Sequence, residues 1–245
     1  METILFLKSN MSKQEYFFLA IFSFVVGMIL HHLPEYDYFL LHFFNSNFYN
    51  EEFFKYFTEI GNGYIVAAFV IPALSYASYR FKALNFVPLS ALIFPTIYLG
   101  IINGILQREI FAFQRPGFYR FESIEYLEPV FNYGSFPSGH AATIFVVVFI
   151  WLGLAVKKGY QHKFFLHGSL IALASLVAIS RVIVGAHWFS DILASLGIAL
   201  LFRFFVEFKF FYNHIAKTEV LQYLSYLVVV VAWINILFFD VSKYF

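Results

Sequence analysis

A histidine and an aspartate spaced four residues apart are the strongest chemical signal in the sequence. Within the segment SRVIVGAHWFSD, His187 and Asp191 occupy positions i and i+4 at the start of a predicted helix. The carboxylate can therefore accept the Nδ1 proton of the imidazole, which leaves Nε2 as a base or a nucleophile. Arg181 belongs to the same segment, which lies between two long apolar runs where ionisable residues are costly to bury. The segment indicates a functional site more than a structural ion pair.

A second segment has the composition of an anion-binding helix start. Pro137, Ser138, Gly139 and His140 directly precede an apolar run from Ala141 to Val156. Proline favours the first turn of a helix, serine can cap it, and glycine lets a ligand approach the backbone closely. The free N–H groups and the positive end of the helix dipole then point at the ligand. Taken alone, the same residues are equally typical of an ordinary helix start with a hydrogen-bonded histidine.

Two arginines make up the third segment. Arg108 and Arg115 lie seven residues apart, close to two helical turns, so the spacing predicts both guanidinium groups on one helix face. Pro116 directly follows and is expected to end that helix. Both charges could then contact one anion. Taken alone, such a pair is typical of arginines that anchor a helix at the membrane interface.

The composition places these segments in a membrane protein. Hydrophobic residues make up 61% of the chain and charged residues only 13%, against roughly 45–50% and about 25% in soluble domains. The net charge of +1 provides no basic surface, so no nucleic-acid partner is expected. The absence of cysteine excludes disulfides, thiolate catalysis and zinc–thiolate sites. No linker or low-complexity run divides the chain, so we expect one membrane domain over residues 1–245.

Apolar runs long enough to cross a bilayer predict an all-α, polytopic transmembrane bundle of about six to seven spans. One run, Ile192 to Tyr212, carries Arg203 and Glu207, which can pair at i, i+4 while Arg203 extends to the interface. The aromatic stretch Glu35 to Ile60 is interrupted by polar residues and is expected to lie as a helix in the membrane interface. The other predicted spans are Phe17 to Leu33, Asn62 to Tyr79, Ala83 to Leu106, Ser138 to Val156, Phe164 to Ser180 and Val220 to Phe239.

The distribution of lysine and arginine orients the bundle, because these residues accumulate on the cytoplasmic side. With the N-terminus in the cytoplasm, ten of the 16 lysines and arginines lie on the cytoplasmic side and the other six on the opposite side. All three chemical segments then fall at the outer membrane face, although the charge count alone does not require this. Positive charge kept there against the rule indicates an anionic substrate.

Together, the three segments resemble the motifs of the type 2 phosphatidic acid phosphatase superfamily. The family pattern is Lys-x6-Arg-Pro, then Pro-Ser-Gly-His, then Ser-Arg-x5-His-x3-Asp. The second and third motifs match in residues and spacing at positions 137–140 and 180–191. The first departs from the pattern, because Arg108 stands where the family usually has lysine and replaces a point charge with a planar fork. The resemblance covers the motif core of the domain, about residues 84–211.

The resemblance implies phosphoryl transfer without a metal or other cofactor. His187 would attack phosphorus, and Asp191 would orient the imidazole of His187 and favour its charged form. His140 would protonate the leaving oxygen. Water would then hydrolyse the phosphohistidine. The groups expected to hold the equatorial phosphate oxygens are Arg108, Arg115, Ser138, Gly139 and Arg181.

The resemblance also implies a substrate and a location. We expect a lipid phosphate or pyrophosphate phosphatase that lies among membrane lipids in the bacterial cytoplasmic (inner) membrane, with its site at the outer interface and facing the periplasm or exterior. Undecaprenyl pyrophosphate, lipid A phosphate, phosphatidylglycerol phosphate and phosphatidate all present the same terminal group. Two alternatives stay open: a lipid phosphotransferase that passes the phosphoryl group to an acceptor, and a non-catalytic membrane scaffold. The complete second and third motifs argue against the scaffold.

Overall fold

The computed structural model of the protein describes residues 13–157, 160–206 and 218–239, and its regular secondary structure over these ranges is helical. The predicted all-α fold is therefore confirmed. The helices are α1 (Lys13–His31), α2 (Pro34–Phe48), α3 (Glu51–Phe57), α4 (Gly63–Ile65), α5 (Ile71–Arg80), α6 (Ser90–Ile105), α7 (Pro116–Tyr119), α8 (Gly139–Ala155), α9 (Lys163–Ile183), α10 (Phe189–Val206) and α11 (Glu219–Phe238). Shorter turns are the 3-10 turn Thr58–Gly61 and the π-helical turns Val66–Val70 and Leu106–Ile110.

Five helices within the described ranges are long and apolar enough to cross a membrane: α1, α6 with its π-helical extension, α9, α10 and α11. The pair Glu51–Gly61 and Gly63–Arg80, whose halves are bent by 63°, is a sixth if it crosses as one span. The apolar helix α8 is shorter, at 17 residues. With α8 these segments agree with the predicted six to seven spans. Residues 207–212 of the run that began at Ile192, including Glu207, lie outside the described residues.

The stretch from Glu35 to Ile60, expected to lie as helix in the membrane interface, is helical but divided. It forms α2, α3 and most of the 3-10 turn, and its second half belongs to the bent pair. Asn50 separates the helices because its side chain accepts the backbone N–H of Phe53 at 2.9 Å and caps α3. Asn45 is buried and donates to two backbone carbonyl groups elsewhere in the chain. These polar residues therefore have structural partners that the sequence pattern did not reveal.

Helix α8 lies at the centre of the bundle, where it packs against α6, α9 and α10. Val146, Ile150 and Trp151 are among its fully buried side chains. A helix that is apolar on all sides is expected to be buried on all sides. The indole N–H of Trp151 donates to the carbonyl oxygen of Leu74 at 2.7 Å, so its polar atom is satisfied inside the core.

Helices α1 and α10 approach each other closely because each contributes a glycine to their contact. A Cβ on Gly27 would lie 2.9 Å from the carbonyl oxygen of Ser190, and a Cβ on Gly197 would lie 2.7 Å from that of Ala20. Small residues are the usual means by which membrane helices bring their backbones together. The contact fixes the beginning of α10, which carries Asp191, against the end of α1.

Antiparallel packing brings the three chemical segments to one end of the bundle, called the site end below. Helix α9 ends there, α8 and α10 begin there, and the 3-10 turn contacts α8 and α9. At the opposite end, an isolated antiparallel bridge pairs Leu84 with Val156, and Nζ of Lys157 donates to the carbonyl oxygen of Lys82 at 2.8 Å. Two lysines that the charge count assigned to the cytoplasm therefore lie at the end remote from the site.

Candidate active site

His187 and Asp191 form the contact that their spacing predicts. Nδ1 of His187 lies 3.0 Å from Oδ2 of Asp191, and both side chains are buried. The same oxygen accepts the backbone N–H of Trp188 at 2.9 Å and the hydroxyl of Ser135. A proton on Nδ1 makes this contact a hydrogen bond and leaves the lone pair on Nε2. Ser135, in the loop before the second motif, is a partner that the spacing of the motifs did not indicate.

The turn between α9 and α10 holds His187 beside Arg181. The carbonyl oxygen of Arg181 accepts the backbone N–H groups of Ala186 at 3.0 Å and of His187 at 3.1 Å. Gly185 has a φ of +70°, in the left-handed region that favours glycine. A Cβ at this position would also lie 2.7 Å from the ring of Tyr126. The turn that positions the histidine therefore needs glycine for both conformational and steric reasons.

Burial and nearby positive charge keep His187 neutral. Burial is the main cause that lowers the pKa of His187 well below 6.5, and the charges of Arg115 and Arg181 lower it further. The pKa of Arg115 itself is lowered to about 10, first by burial and then by the charge of Arg181. At neutral pH, His187 is therefore uncharged while Arg115 keeps its positive charge.

The second motif begins α8 as expected, but its serine does not cap the helix. Ser138 is the N-cap residue with extended backbone, and Gly139 is the first helical residue. The Ser138 hydroxyl is buried and has no hydrogen-bond partner within the described ranges. Its backbone is tied to α10, since its N–H donates to the carbonyl oxygen of Asp191 at 3.4 Å and its carbonyl oxygen accepts the Ser195 hydroxyl at 2.9 Å. Helix α10 therefore holds the cap position through the backbone.

Two amide side chains on the α6 span, outside the three motifs, hold the second motif. Nδ2 of Asn103 donates to the carbonyl oxygen of Pro137 at 3.3 Å, and Nε2 of Gln107 donates to the same oxygen. A Cβ on Gly139 would lie 3.6 Å from Nδ2 of Asn103, so the two helices are in contact here. Polar amides at i and i+4 inside an apolar run were the available signal.

Arg108 and Arg115 do not share one helix, so the prediction of a common helix face is wrong. The α6 span continues as a π-helical turn that ends at Ile110, and Pro116 begins α7 instead of ending the earlier helix. Ala112 has a φ of 46° and redirects the chain between the two arginines. The apolar pattern continues beyond Ile110, so the sequence did not mark the end of the helix.

The two arginines are held differently although they line the same cavity. Nε of Arg115 donates to the carbonyl oxygens of Tyr133 at 3.1 Å and Gly134 at 3.2 Å, and its guanidinium lies 5.5 Å from the ring centre of Phe131. Arg108 is exposed at the rim. Arg115 is therefore fixed in position, whereas Arg108 has the freedom of a surface side chain.

Arg181 contacts a turn that the sequence analysis did not connect with the site. Its Nη1 donates to Oγ1 of Thr58 at 2.9 Å and lies 3.9 Å from Oε1 of Glu59. The same carboxylate oxygen lies 3.8 Å from Nε2 of His140. The 3-10 turn therefore brings a negative charge to the second and third motifs. An acidic residue directly before an apolar run was the available signal.

A cavity of about 1090 Å³ connects these groups with the membrane helices. Its polar end contains His140, His187 and the three arginines of the motifs. Its apolar end lies between three parts of the bundle: α6, the segment from α4 to α5, and α11. Its walls include Ile101, Leu227 and Val231. The cavity is therefore one continuous space with a cationic end and an apolar end.

The fold and the site define an α-helical integral membrane protein with a cluster of histidine, aspartate and arginine side chains at one end of its bundle. The chain belongs to the PAP2 superfamily, whose family model matches residues 88–216, about half of the chain. The family predicted from the motifs is confirmed, and membership of this family supports the predicted phosphatase. No curated protein sequence matches the chain.

Two solved structures share the fold. The first transmembrane PAP2 type phosphatidylglycerolphosphate phosphatase from Bacillus subtilis is 19% identical with a TM-score of 0.61, and the match covers 83% of this chain and 98% of that chain. Aquifex aeolicus LpxE is 22% identical with a TM-score of 0.51, and the match covers 68% of this chain and 92% of that chain. At these identities, the likeness establishes the arrangement of the helices.

The exposed position of Arg108 predicts how substitutions there act. If Arg108 contributes positive charge at the rim, Arg108→Lys should keep kcat/KM within about threefold, because lysine also binds phosphate as a point charge. Arg108→Gln should lower kcat/KM about ten- to hundredfold through loss of a charge-assisted hydrogen bond. Arg120→Gln, a change at an exposed arginine that pairs with Glu128 at 3.8 Å, is the matched control. Near-normal kinetics for Arg108→Gln would place Arg108 outside the phosphate pocket.

The charge of Arg115 should be visible in the acid limb of the pH profile. A protonated His187 cannot attack, so kcat/KM falls as the pH drops through the pKa of His187, which Arg115 lowers. Arg115→Gln should raise that pKa and move the acid limb to higher pH by about 0.5 to 1 unit. The profile is measured on one substrate for wild type, Arg115→Gln and the Arg120→Gln control. Ionisation of the substrate then affects all three profiles equally and does not shift one relative to another. An acid limb that stays in place or moves to lower pH would contradict the assignment.

Proposed function

We propose that the protein removes the terminal phosphate from a membrane lipid phosphate or pyrophosphate, without a metal, through a phosphohistidine on His187. The observation that carries the lipid part of this proposal is the cavity of about 1090 Å³. This volume lies at the upper end of the roughly 300–1,000 Å³ that small-molecule sites occupy. A phosphate at the cationic end and a hydrocarbon chain between α6 and α11 would fill both of its parts.

Two buried polar atoms support a phosphate position between the second and third motifs. The Ser138 hydroxyl and Nε of Arg181 are buried and have no hydrogen-bond partner in the part of the chain that is described. Buried polar groups nearly always have partners, and phosphate oxygens would accept from both. Gly139 lies in the first turn of α8, where backbone N–H groups lack partners within the helix. Arg115 and Arg108 would add positive charge from the other side of the cavity.

In the first chemical step, Nε2 of His187 attacks the terminal phosphorus while the bond from phosphorus to the leaving oxygen breaks. The electron pair of that bond goes to the leaving oxygen, which takes a proton from His140. The product departs as the lipid alcohol, or as the lipid monophosphate when the substrate is a pyrophosphate. Asp191 stabilises the positive charge that develops on the imidazole, and the arginines neutralise the equatorial oxygens.

In the second step, water attacks the phosphorus of the phosphohistidine. The bond from phosphorus to Nε2 of His187 breaks, and its electron pair returns to the nitrogen. The proton of the attacking water passes to His140, which regains its protonated form, and inorganic phosphate leaves. If an acceptor alcohol attacked in place of water, the protein would be a phosphotransferase. Transfer of phosphate to an added alcohol distinguishes this reaction from hydrolysis.

We propose that the site faces the periplasm or exterior of a bacterial inner membrane. Lys82 and Lys157 lie at the end of the bundle remote from the site, and lysines near span ends accumulate in the cytoplasm. The Bacillus subtilis structure is of a phosphatidylglycerolphosphate phosphatase, which supports phosphatidylglycerol phosphate as one candidate. Undecaprenyl pyrophosphate, lipid A phosphate and phosphatidate present the same terminal group and are the other candidates.

Phosphate release from the purified protein on these four lipids, with EDTA present, tests the function. We expect hydrolysis of at least one lipid, and a kcat/KM at least about tenfold lower for glycerol 3-phosphate than for phosphatidate, because the glycerol compound leaves the apolar end empty. Equal values for the two would contradict the role of the cavity. Activity that disappears in EDTA and returns with a divalent ion would contradict the metal-free mechanism. Transfer of phosphate to an added alcohol in preference to water would identify a phosphotransferase.

Brief reaction with a radiolabelled substrate should produce an acid-labile, base-stable phosphoenzyme, as expected for phosphohistidine. His187→Ala should abolish the label because it removes the nucleophile. His162→Ala, the same change at an exposed histidine at the start of α9, remote from the site, should leave the label at the wild-type level. Label retained in His187→Ala would remove His187 from the nucleophile role.

A further inference from the structure

A glutamate outside the three motifs lies against two of them. Glu59 belongs to the 3-10 turn at the 63° bend between α3 and α5, and it precedes the residues 88–216 that match the family model. Its Oε1 lies 3.8 Å from Nε2 of His140 and 3.9 Å from Nη1 of Arg181. One carboxylate oxygen is therefore shared between the proposed acid and a proposed phosphate ligand.

This carboxylate is fixed by its surroundings. Its second oxygen accepts a 2.8 Å hydrogen bond from Nδ2 of Asn62, which is fully buried. Gly61 lets the turn approach α8 closely, since a Cβ there would lie 2.9 Å from the carbonyl oxygen of His140. Oγ1 of Thr58 accepts a 2.9 Å hydrogen bond from Nη1 of Arg181, and this bond connects the turn to α9. The carboxylate side chain is partly exposed, and these contacts hold it between two helices.

The charges around His140 give this carboxylate a chemical reason to be there. An acid must carry its proton before it can donate it, and nearby positive charges oppose protonation of an imidazole. A carboxylate at 3.8 Å from Nε2 favours the protonated ring. The other ionisable groups around His140 and the cavity include Arg108, Arg115, Arg181, His187, Asp191, Tyr64 and Tyr133. Among them, Asp191 is already hydrogen-bonded to His187.

We propose that Glu59 is a positioning residue that keeps His140 protonated for donation to the leaving oxygen and restrains the guanidinium of Arg181 beside the phosphate. This inference rests on the proposed function, because it requires His140 to be the acid. Glu59 forms no bond with the substrate. The proton of His140 goes to the leaving oxygen and is replaced from the attacking water, while the carboxylate supplies charge and orientation.

The same carboxylate should act with the opposite sign on anion binding. Its negative charge lies beside Arg181, so it opposes the approach of another anion. Removing the charge should therefore strengthen the binding of inorganic phosphate or vanadate while it slows the step that needs a proton from His140. A residue that only supported the fold would weaken both. The two opposite effects separate a positioning role from a structural one.

The test compares Glu59→Gln and Glu59→Asp with Glu52→Gln, the same change at an exposed glutamate on the same arm of the bend. On a lipid monoester, whose alkoxide leaving group needs the acid, Glu59→Gln should lower kcat about ten- to hundredfold. On a lipid pyrophosphate, a better leaving group, the loss should stay within about threefold. Inhibition by inorganic phosphate should strengthen about three- to tenfold. The alkaline limb of kcat should move to lower pH, and Glu59→Asp, which keeps the charge, should restore most of its position.

Several results would overturn the proposal. Wild-type kcat and pH profile in Glu59→Gln would remove Glu59 from the reaction. Equal losses on the two substrates together with weaker phosphate inhibition would leave it a structural role only. If Glu59→Gln fails to form the phosphoenzyme from the pyrophosphate, Glu59→Asp decides, because equal losses of kcat on the two substrates together with weaker phosphate inhibition in that variant would contradict the proposal. A wild-type protein without activity on any lipid phosphate would instead refute the proposed function itself.

Discussion

One fully buried carboxylate oxygen joins the parts of the site. Oδ2 of Asp191 accepts hydrogen bonds from Nδ1 of His187, the backbone N–H of Trp188 and the hydroxyl of Ser135. These donors come from the turn before α10 and the loop before α8, so one acceptor fixes the third motif relative to the second. A buried carboxylate is costly unless it is hydrogen-bonded. The loop before α8 and the turn before α10 are therefore held in the positions that allow these hydrogen bonds to form. The same oxygen selects the imidazole tautomer that leaves Nε2 for chemistry.

Polar side chains on the α6 span and on the 3-10 turn position the rest of the site end. Asn103 and Gln107 hold the carbonyl oxygen of Pro137, and Thr58 holds Arg181. Irregular backbone at membrane depth is stable only where its polar groups find partners in the protein or face a water-filled cavity. The bend between α3 and α5 and the loop before α8 meet this condition through these contacts. The bend is therefore held against α9 by its own threonine, whereas the loop before α8 depends on amide side chains of the α6 span.

The phosphate end and the apolar end of the cavity come from different parts of the chain. The three motifs lie within residues 88–216, which match the family model. Leu227 and Val231 on the apolar wall belong to α11, beyond that match, and Ala67 belongs to the bent segment before it. The hydrocarbon chain of the proposed lipid would contact all of these parts. Changes in α11 can therefore alter the fit of a lipid chain without altering the groups that hold phosphate.

The sequence by itself determined the membrane class, most of the spans, the family and the pairing of His187 with Asp191. These follow from apolar run length, from the residues of the motifs and from a four-residue spacing at the beginning of α10. It could not show that Arg108 and Arg115 lie on separate elements, since the apolar pattern continues through the point where the helix ends. It also did not connect Glu59 with the site. That contact exists only because the bend docks on α8 and α9, and such a contact between residues far apart in the chain depends on helix packing, which no local spacing encodes.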